Sequence, residues 1–253
     1  MMAARRSRTE RVRHGGVIDR SPAGRSTGFG FPDAVVLDMD GTLLDTEGAY
    51  RAAFMAAAAA LGQEVPDAFY ATLVGISSRE RGALIRARFG PDFPWEDCLL
   101  DYRARKARLL EGPLPTKPGA VELLEELTAR KLPCAVATSA SRRTALAALG
   151  RAGLLESIAT LVTRDDVSAG KPHPALFLRA AAELGAMPAR CMAVEDSPPG
   201  VAAAQAAGMR VVMVPDAVPP SAVPHSAGLT VAESLLDVVA LLRRLRNGEE
   251  CVA

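Results

Sequence analysis

Two apolar rhythms divide the chain. From Pro118 onward, short continuous apolar runs at 134–138, 158–163, 190–194 and 210–214 take turns with longer segments. The continuous runs fit strands buried on both faces of a parallel sheet. Residues 119–130 carry Val121, Leu124 and Leu127 at the spacing of an amphipathic helix. Further helices are predicted after Ser139-Ala140-Ser141 to Leu149, and at 174–185, 199–207 and 232–246. Repeated strand–helix units imply an α/β fold, a doubly wound parallel sheet with helices on both faces. A further buried run, Ala34 to Leu37, precedes this series. Between Thr46 and Pro115 no strand pattern appears. Helices are predicted at 49–61 (stopped by Gly62), 66–73, 78–89 and 95–110, separated by Gly and Pro breaks. That stretch is a helical insert.

Composition narrows the field. With 49% hydrophobic and 23% charged residues, the 253-residue chain is globular and long enough for a sizeable core. A net charge of +1 and 4% aromatics give no field or stacking platform for nucleic acid. No run is long and uncharged enough to span a membrane. Cys98, Cys134, Cys191 and Cys251 form no CxxC pair, which argues against a structural zinc or a disulfide framework and for a reducing, cytoplasmic setting. Residues 1–32 hold seven arginines against Glu10 and Asp19. Such a start fits a transit peptide, a disordered basic tail or an upstream start codon, and we read it as a tail.

The run at Ala34 ends in Asp38-Met39-Asp40-Gly41-Thr42. Carboxylates at a buried strand's exit are costly unless paired or metal-bound. Two residues apart, they aim at one place in extended backbone. Ligands of open α/β sheets bind beyond the strands' carboxyl ends. There the other runs deliver Ser139, the loop Gly170-Lys171-Pro172-His173-Pro174, and Glu195-Asp196-Ser197. Each has a plainer reading: Asp40-Gly41 as a turn, Ser139 as a helix cap, Lys171 as a loop cation, His173 as a loop-shaping residue. Together they equip a site for a phosphoryl group, with carboxylates for Mg²⁺, a hydroxyl donor and a cation. His14, His173 and His225 offer no Ser-His-Asp arrangement.

Asp38-Met39-Asp40-Gly41-Thr42-Leu43-Leu44-Asp45, Thr138-Ser139, Lys171-Pro172 and Glu195-Asp196-Ser197 resemble, in order and spacing, the four motifs of the haloacid dehalogenase superfamily. The similarity runs from about residue 34 to 215 and is strongest with the phosphatase and β-phosphoglucomutase branch. It implies a Rossmann-like core at 33–45 and 116–248, and a small all-helical cap at 46–115 that closes over substrate. It also implies Asp38 as the nucleophile forming an aspartyl-phosphate, Asp40 as acid and then base, and Ser139 and Lys171 as phosphate-binding residues. Mg²⁺ would be held by Asp38, Asp40 (through its carbonyl) and Asp196, with Glu195 a ligand or its support.

Asp40 favours phosphate-ester chemistry over dehalogenation or phosphonate cleavage, whose enzymes in this superfamily lack that acid. The expected activity is a Mg²⁺-dependent phosphatase of a small phosphorylated metabolite, acting as a monomer or weak homodimer. The alternatives are a β-phosphoglucomutase-type mutase and a non-catalytic binding protein on the same fold. Arg79 in Ser77-Ser78-Arg79 resembles a cap arginine of the mutase, with one extra serine. Arg142, beside Ser141, resembles part of a polar pair at the mutase site. Tyr50 stands where the mutase pattern has a cap-side histidine.

Overall fold

The run Ala34–Leu37 is a strand (β2) at the middle of the sheet. It pairs in parallel with Cys134–Thr138 (β3) on one side and Cys191–Glu195 (β5) on the other. This computed structural model describes residues 18–19, 30–74, 76, 78–109, 111–223 and 228–247. With Ile18–Asp19 (β1), Thr160–Thr163 (β4), Arg210–Met213 (β6) and Leu229–Val231 (β7), the strand order is β1-β7-β6-β5-β2-β3-β4. Strands β2 to β7 run parallel, and β1 alone is antiparallel, against β7.

Residue alternation sends each strand's side chains to two separate cores. Val35, Leu37, Val136, Met192, Val194 and Val212 face Ala120–Ala129 (α5), Arg142–Arg151 (α6) and Leu235–Arg246 (α9). Ala34, Val36, Ala135, Ala137 and Ala193 face Ala175–Glu183 (α7) and Pro198–Ala206 (α8). On this face the strands β2, β3 and β5 present mostly alanine, and Leu176 and Phe177 of α7 belong to the same core. The predicted insert is four helices: Glu47–Ala59 (α1), Asp67–Ala71 (α2), Ser78–Phe89 (α3) and Trp95–Leu109 (α4). Phe54, Tyr70, Trp95 and Tyr102 give them a core of their own.

The insert's two linkers are paired with each other. Leu44 and Thr116 form an antiparallel bridge, Asp45 N donates to Pro115 O, and Lys117 N donates to Leu43 O, both at 2.9 Å. The root of the insert is therefore continuous with the loop that carries Asp38 and Asp40.

Three expectations are corrected. Strand β7 was not foreseen, because its three residues lie in a segment rich in Pro, Ser and Gly. The strand expected at 158–163 starts at Thr160, after a 3-10 turn at Leu155–Ser157. Within the segment read as a tail, Ile18–Asp19 adds to the β7 edge, and the rest of 1–29 lies outside the described residues. Among the described residues no helix is long and apolar enough to cross a membrane.

Candidate active site

Each strand of the sheet's middle ends on one residue of a common cleft. Asp38 follows β2 and its amide donates to Val194 O (3.0 Å), so the residue is held by the neighbouring strand. The chain then turns at Gly41, whose φ of 83° is open to glycine at little cost. A Cβ there would also collide with Asp196 Oδ2, so the loop can approach the acid after β5 only without a side chain. Thr42 completes this contact, its Oγ1 donating to Asp196 Oδ1 at 3.1 Å.

Lys171 is brought in by the loop before α7. It is 3% exposed, and its Nζ donates to Asp38 Oδ1 and, at 2.5 Å, to Glu195 Oε1. Burial works against its charge, but Asp38 and Glu195 outweigh burial and push its pKa up. Burial also pushes Asp38 up to about 8, with Lys171 opposing and Glu195 adding. Asp196 is raised well above the carboxylate range by burial, then by Glu195 and Asp38. One lysine thus serves three buried acids, and the shortfall is positive charge.

The two adjacent acids after β5 divide their duties. Glu195 has no exposure. Its Oε2 accepts the amides of Asp196 and Ser197 (both 2.9 Å) and Ser197 Oγ–H (3.0 Å), while Oε1 is held by Lys171. It lies against the first turn of α8, where a Cβ on Gly200 would overlap Oε1. Glu195 Oε2 is taken up by the Asp196 and Ser197 groups at the start of α8 and its Oε1 orients Lys171, so it lies behind the cleft. Asp196 turns into the cleft.

Asp40 lines the same cleft, its Oδ1 accepting from Thr46 Oγ1 at 2.9 Å. Among the described residues no three Asp, Glu, His or Cys side chains gather at one point. The oxygen donors available there are the carboxylates of Asp38 and Asp196 and the carbonyl of Asp40, with Glu195 Oε1 behind them. The loop's own hydrogen bonds use the carbonyls of Met39 and Leu44, not that of Asp40. An all-oxygen set with an excess of buried negative charge fits a hard divalent cation such as Mg²⁺.

The cleft is a cavity of about 790 Å³ between sheet and insert. Ser139 lines it, next to Thr138, whose Oγ1 accepts the Ala140 amide at 3.0 Å. His173 is exposed and its Nδ1 accepts the Ala175 amide (3.3 Å), so it shapes the loop.

Both arginine candidates point elsewhere. Arg79 is exposed and off the cleft, whereas Arg81, one Arg further along α3, lines it. Arg142 Nη2 bonds Asp166 (2.9 Å) and Leu161 O (3.0 Å) at the end of β4, and Arg143 takes the cleft side instead. The sequence reading also missed Glu47 and Lys106, which face Asp38 and Asp40 from α1 and α4. Burial pushes the Glu47 carboxyl up to about 7, with Asp40 adding and Lys106 opposing. Burial lowers the Lys106 ammonium pKa, opposed by Asp40 and Glu47.

Known proteins resemble this chain in sequence and in fold. A phosphorylated carbohydrates phosphatase of Thermotoga maritima is 31% identical over 70% of this chain and 82% of its own. A probable pseudouridine-5'-phosphatase of Drosophila melanogaster is 34% identical over 72% and 80%. The crystal structure of a mutant of the CbbY protein from Rhodobacter sphaeroides, in complex with xylulose-(1,5)bisphosphate, superposes with a TM-score of 0.68 at 29% identity. It covers 81% of this chain and 95% of its own. The haloacid dehalogenase-like hydrolase family model matches residues 32–208, from just before the Asp38 strand to the end of α8. By its sheet, its helical insert and that match, the chain belongs to the haloacid dehalogenase-like hydrolases.

Proposed function

We propose that this chain is a Mg²⁺-dependent phosphatase of a small phosphorylated metabolite, a sugar phosphate or similar, working through an aspartyl-phosphate on Asp38. One observation carries the reading. Asp38, at the central strand's end, has one oxygen held by a buried lysine while Asp40 opens two residues on into the same cavity. The Asp38 oxygen not held by Lys171 attacks phosphorus, and the P–O bond to the leaving group breaks as Asp40 gives that oxygen its proton. Lys171 and Ser139 hold the transferring oxygens and offset their charge. Asp40, now a carboxylate, takes a proton from water. The hydroxide attacks the phosphoryl group and frees inorganic phosphate and Asp38. Asp38, Asp196 and the Asp40 carbonyl would hold Mg²⁺, which when bound adds charge neutralisation at the phosphoryl oxygens.

The phosphatase names of the two sequence relatives support a phosphorylated sugar or related metabolite as substrate. Cys98, Cys134 and Cys191 are free and buried, in keeping with a reducing, cytoplasmic compartment, and the protein would act as a monomer or weak homodimer. The test is a panel of phosphate esters with Mg²⁺, scored for phosphate release and for isomerisation of β-glucose 1-phosphate. Release without isomerisation is expected. No turnover of any ester would sink the reading, and isomerisation primed by a bisphosphate would replace it with the mutase.

A further inference from the structure

The loop that carries Ser139 is held from outside the cleft. Strand β4 is the edge of the sheet beside β3, and its last residue, Thr163, pairs level with Thr138. The chain then makes a 3-10 turn, Arg164–Asp166, and runs on through Val167 and Gly170 to Lys171. This turn grips the segment after Ser139 in three places. The Arg164 amide donates to Ala140 O (3.2 Å), and Asp165 Oδ2 accepts the Arg142 amide (2.8 Å). Asp166 Oδ2 accepts from Arg142 Nη2 (2.9 Å). That carboxylate is itself fixed by the Thr163 amide (2.8 Å) and hydroxyl (2.7 Å). The Thr163 hydroxyl foremost, with its amide and Arg142, holds the Asp166 carboxyl below its ordinary range, so it stays a charged acceptor at neutral pH. Helix α6 already has a cap of its own, Ser141, whose Oγ accepts the Thr144 amide at 3.3 Å. Asp165 and Asp166 therefore add a tertiary hold to a helix end that its local sequence already caps. What the added bonds fix is the place of the Ser139 loop relative to the sheet.

We infer that Asp165 and Asp166 are positioning residues for phosphoryl transfer, which set Ser139 against the phosphoryl oxygens by holding Ala140 to Arg142 in place. This rests on the phosphatase reading, in which Ser139 holds a transferring oxygen. Ser139, Arg164, Gly170 and Lys171 line the cavity, and Asp165 and Asp166 lie outside its lining, so the two acids act only through the loop. Ser139 stands between two fixed points. One is Thr138 at the end of β3; the other is Ala140, whose amide is bound by Thr138 Oγ1 and whose carbonyl is bound by the turn. A hydroxyl lowers a barrier in proportion to how well its geometry is set in advance. Arg142 is the strut between the two segments, its amide on Asp165 and its guanidinium on Asp166 and Leu161 O. The turn also opens the loop that ends on Lys171, so one element of the edge strand spaces both phosphate-binding residues.

The test is a double-mutant cycle on kcat/KM with p-nitrophenyl phosphate and Mg²⁺. Asp165→Ala should lower kcat/KM by about tenfold to a hundredfold, the effect of a misplaced catalytic contact. Asp165→Asn, whose side-chain oxygen still accepts the Arg142 amide, should keep most of the rate. Asp166→Ala, which frees the Arg142 side chain, should lower kcat/KM as Asp165→Ala does. In a Ser139→Ala background Asp165→Ala should cost less than about threefold, because the group it places is gone. A purely structural role would give additive losses. Asp33→Ala removes a similarly exposed, ion-paired acid from the amino end of β2 and should leave kcat/KM unchanged. Additive losses with Ser139→Ala overturn the inference, as do equal losses in Asp165→Ala and Asp165→Asn, or no loss in either Asp165→Ala or Asp166→Ala. Calorimetric titration with inorganic phosphate and Mg²⁺ reads the same hold without turnover. Weaker binding to Asp165→Ala than to Asp165→Asn would uphold the positioning role even if no ester were hydrolysed, and equal binding would overturn it.

Discussion

Replacing Lys171 by Met removes the one buried cation that touches both Asp38 and Glu195 and leaves the aliphatic volume nearly filled. Breaking a buried ion pair from one side costs about 3–5 kcal/mol, because the other charge stays buried without compensation. Two carboxylates are uncovered here, so the upper end applies. At about 2–4 °C per kcal/mol for a domain of this size, Tm should fall by about 10–20 °C at about pH 8. The loss has a pH signature. The folded-state pKa of Lys171 is raised, so its contribution is complete below the ordinary lysine pKa and is lost only as pH rises through the folded value. Its own titration therefore lies outside the acid and neutral range, and pH dependence there comes from its carboxylate partners. Asp38 is different. Burial already pushes its carboxyl up to about 8 with Lys171 opposing, and removing the lysine pushes it further. A raised folded pKa favours folding at low pH and loses that advantage as pH rises, so the variant's deficit should be small near about pH 5 and largest near about pH 8. Thermal denaturation of the metal-free protein and variant at both pH values reads this directly. Lys171→Met with Glu195→Gln should recover part of the loss by removing one orphaned charge. A Tm change under about 2 °C, or a deficit independent of pH, would refute the reasoning.

Asp38→Asn should abolish phosphate release from any ester, and retention of more than a few per cent of activity would mean another nucleophile. Asp40→Asn should slow dephosphorylation by about a hundredfold or more while an activated ester such as p-nitrophenyl phosphate still gives a burst of nitrophenol; the absence of a burst would argue against the two-step course. Because burial raises the pKa values of Asp38 and Asp196, and a metal must displace their protons, the Tm gain from Mg²⁺ should grow from about pH 5 to about pH 8. A gain that is flat or larger at acid pH would count against these ligands. Gly200→Ala forces a methyl onto Glu195 Oε1 and should lower Tm and activity together, which thermal scans and initial rates would show.

How far the site can be read from sequence depends on where its residues sit. Asp38, Ser139, Lys171 and Asp196 all come from strand ends or the loops after them, and the edge of a parallel sheet gathers such positions whatever the details of packing. The insert follows no such rule. Arg79 and Arg81 are two residues apart on α3, which turns them about 200° relative to each other, so one is exposed and the other lines the cleft. Arg142 and Arg143 separate for the same reason, by about 100° on α6. Glu47 and Lys106 are far apart in the chain and meet only because α1 and α4 pack side by side. In Glu195-Asp196 the two acids look alike in sequence, since adjacent acids are equivalent until the strand decides which points at Lys171.

Substrate choice and acid–base chemistry meet at one residue. Thr46 is the residue before α1, so its position follows the insert, yet its hydroxyl donates to Asp40 at 2.9 Å. Tyr50 lies one turn further along the same helix, its amide donating to Thr46 O at 2.9 Å. The helix that carries Glu47 and Tyr50 into the cleft therefore begins at the residue whose hydroxyl holds the Asp40 carboxylate. The paired linkers, with Leu44 bridged to Thr116, leave little freedom for the insert to shift without moving Thr46. The acid at the sheet edge is thus tied to the insert through Thr46, with Glu47 and Lys106 lining the same cleft from α1 and α4.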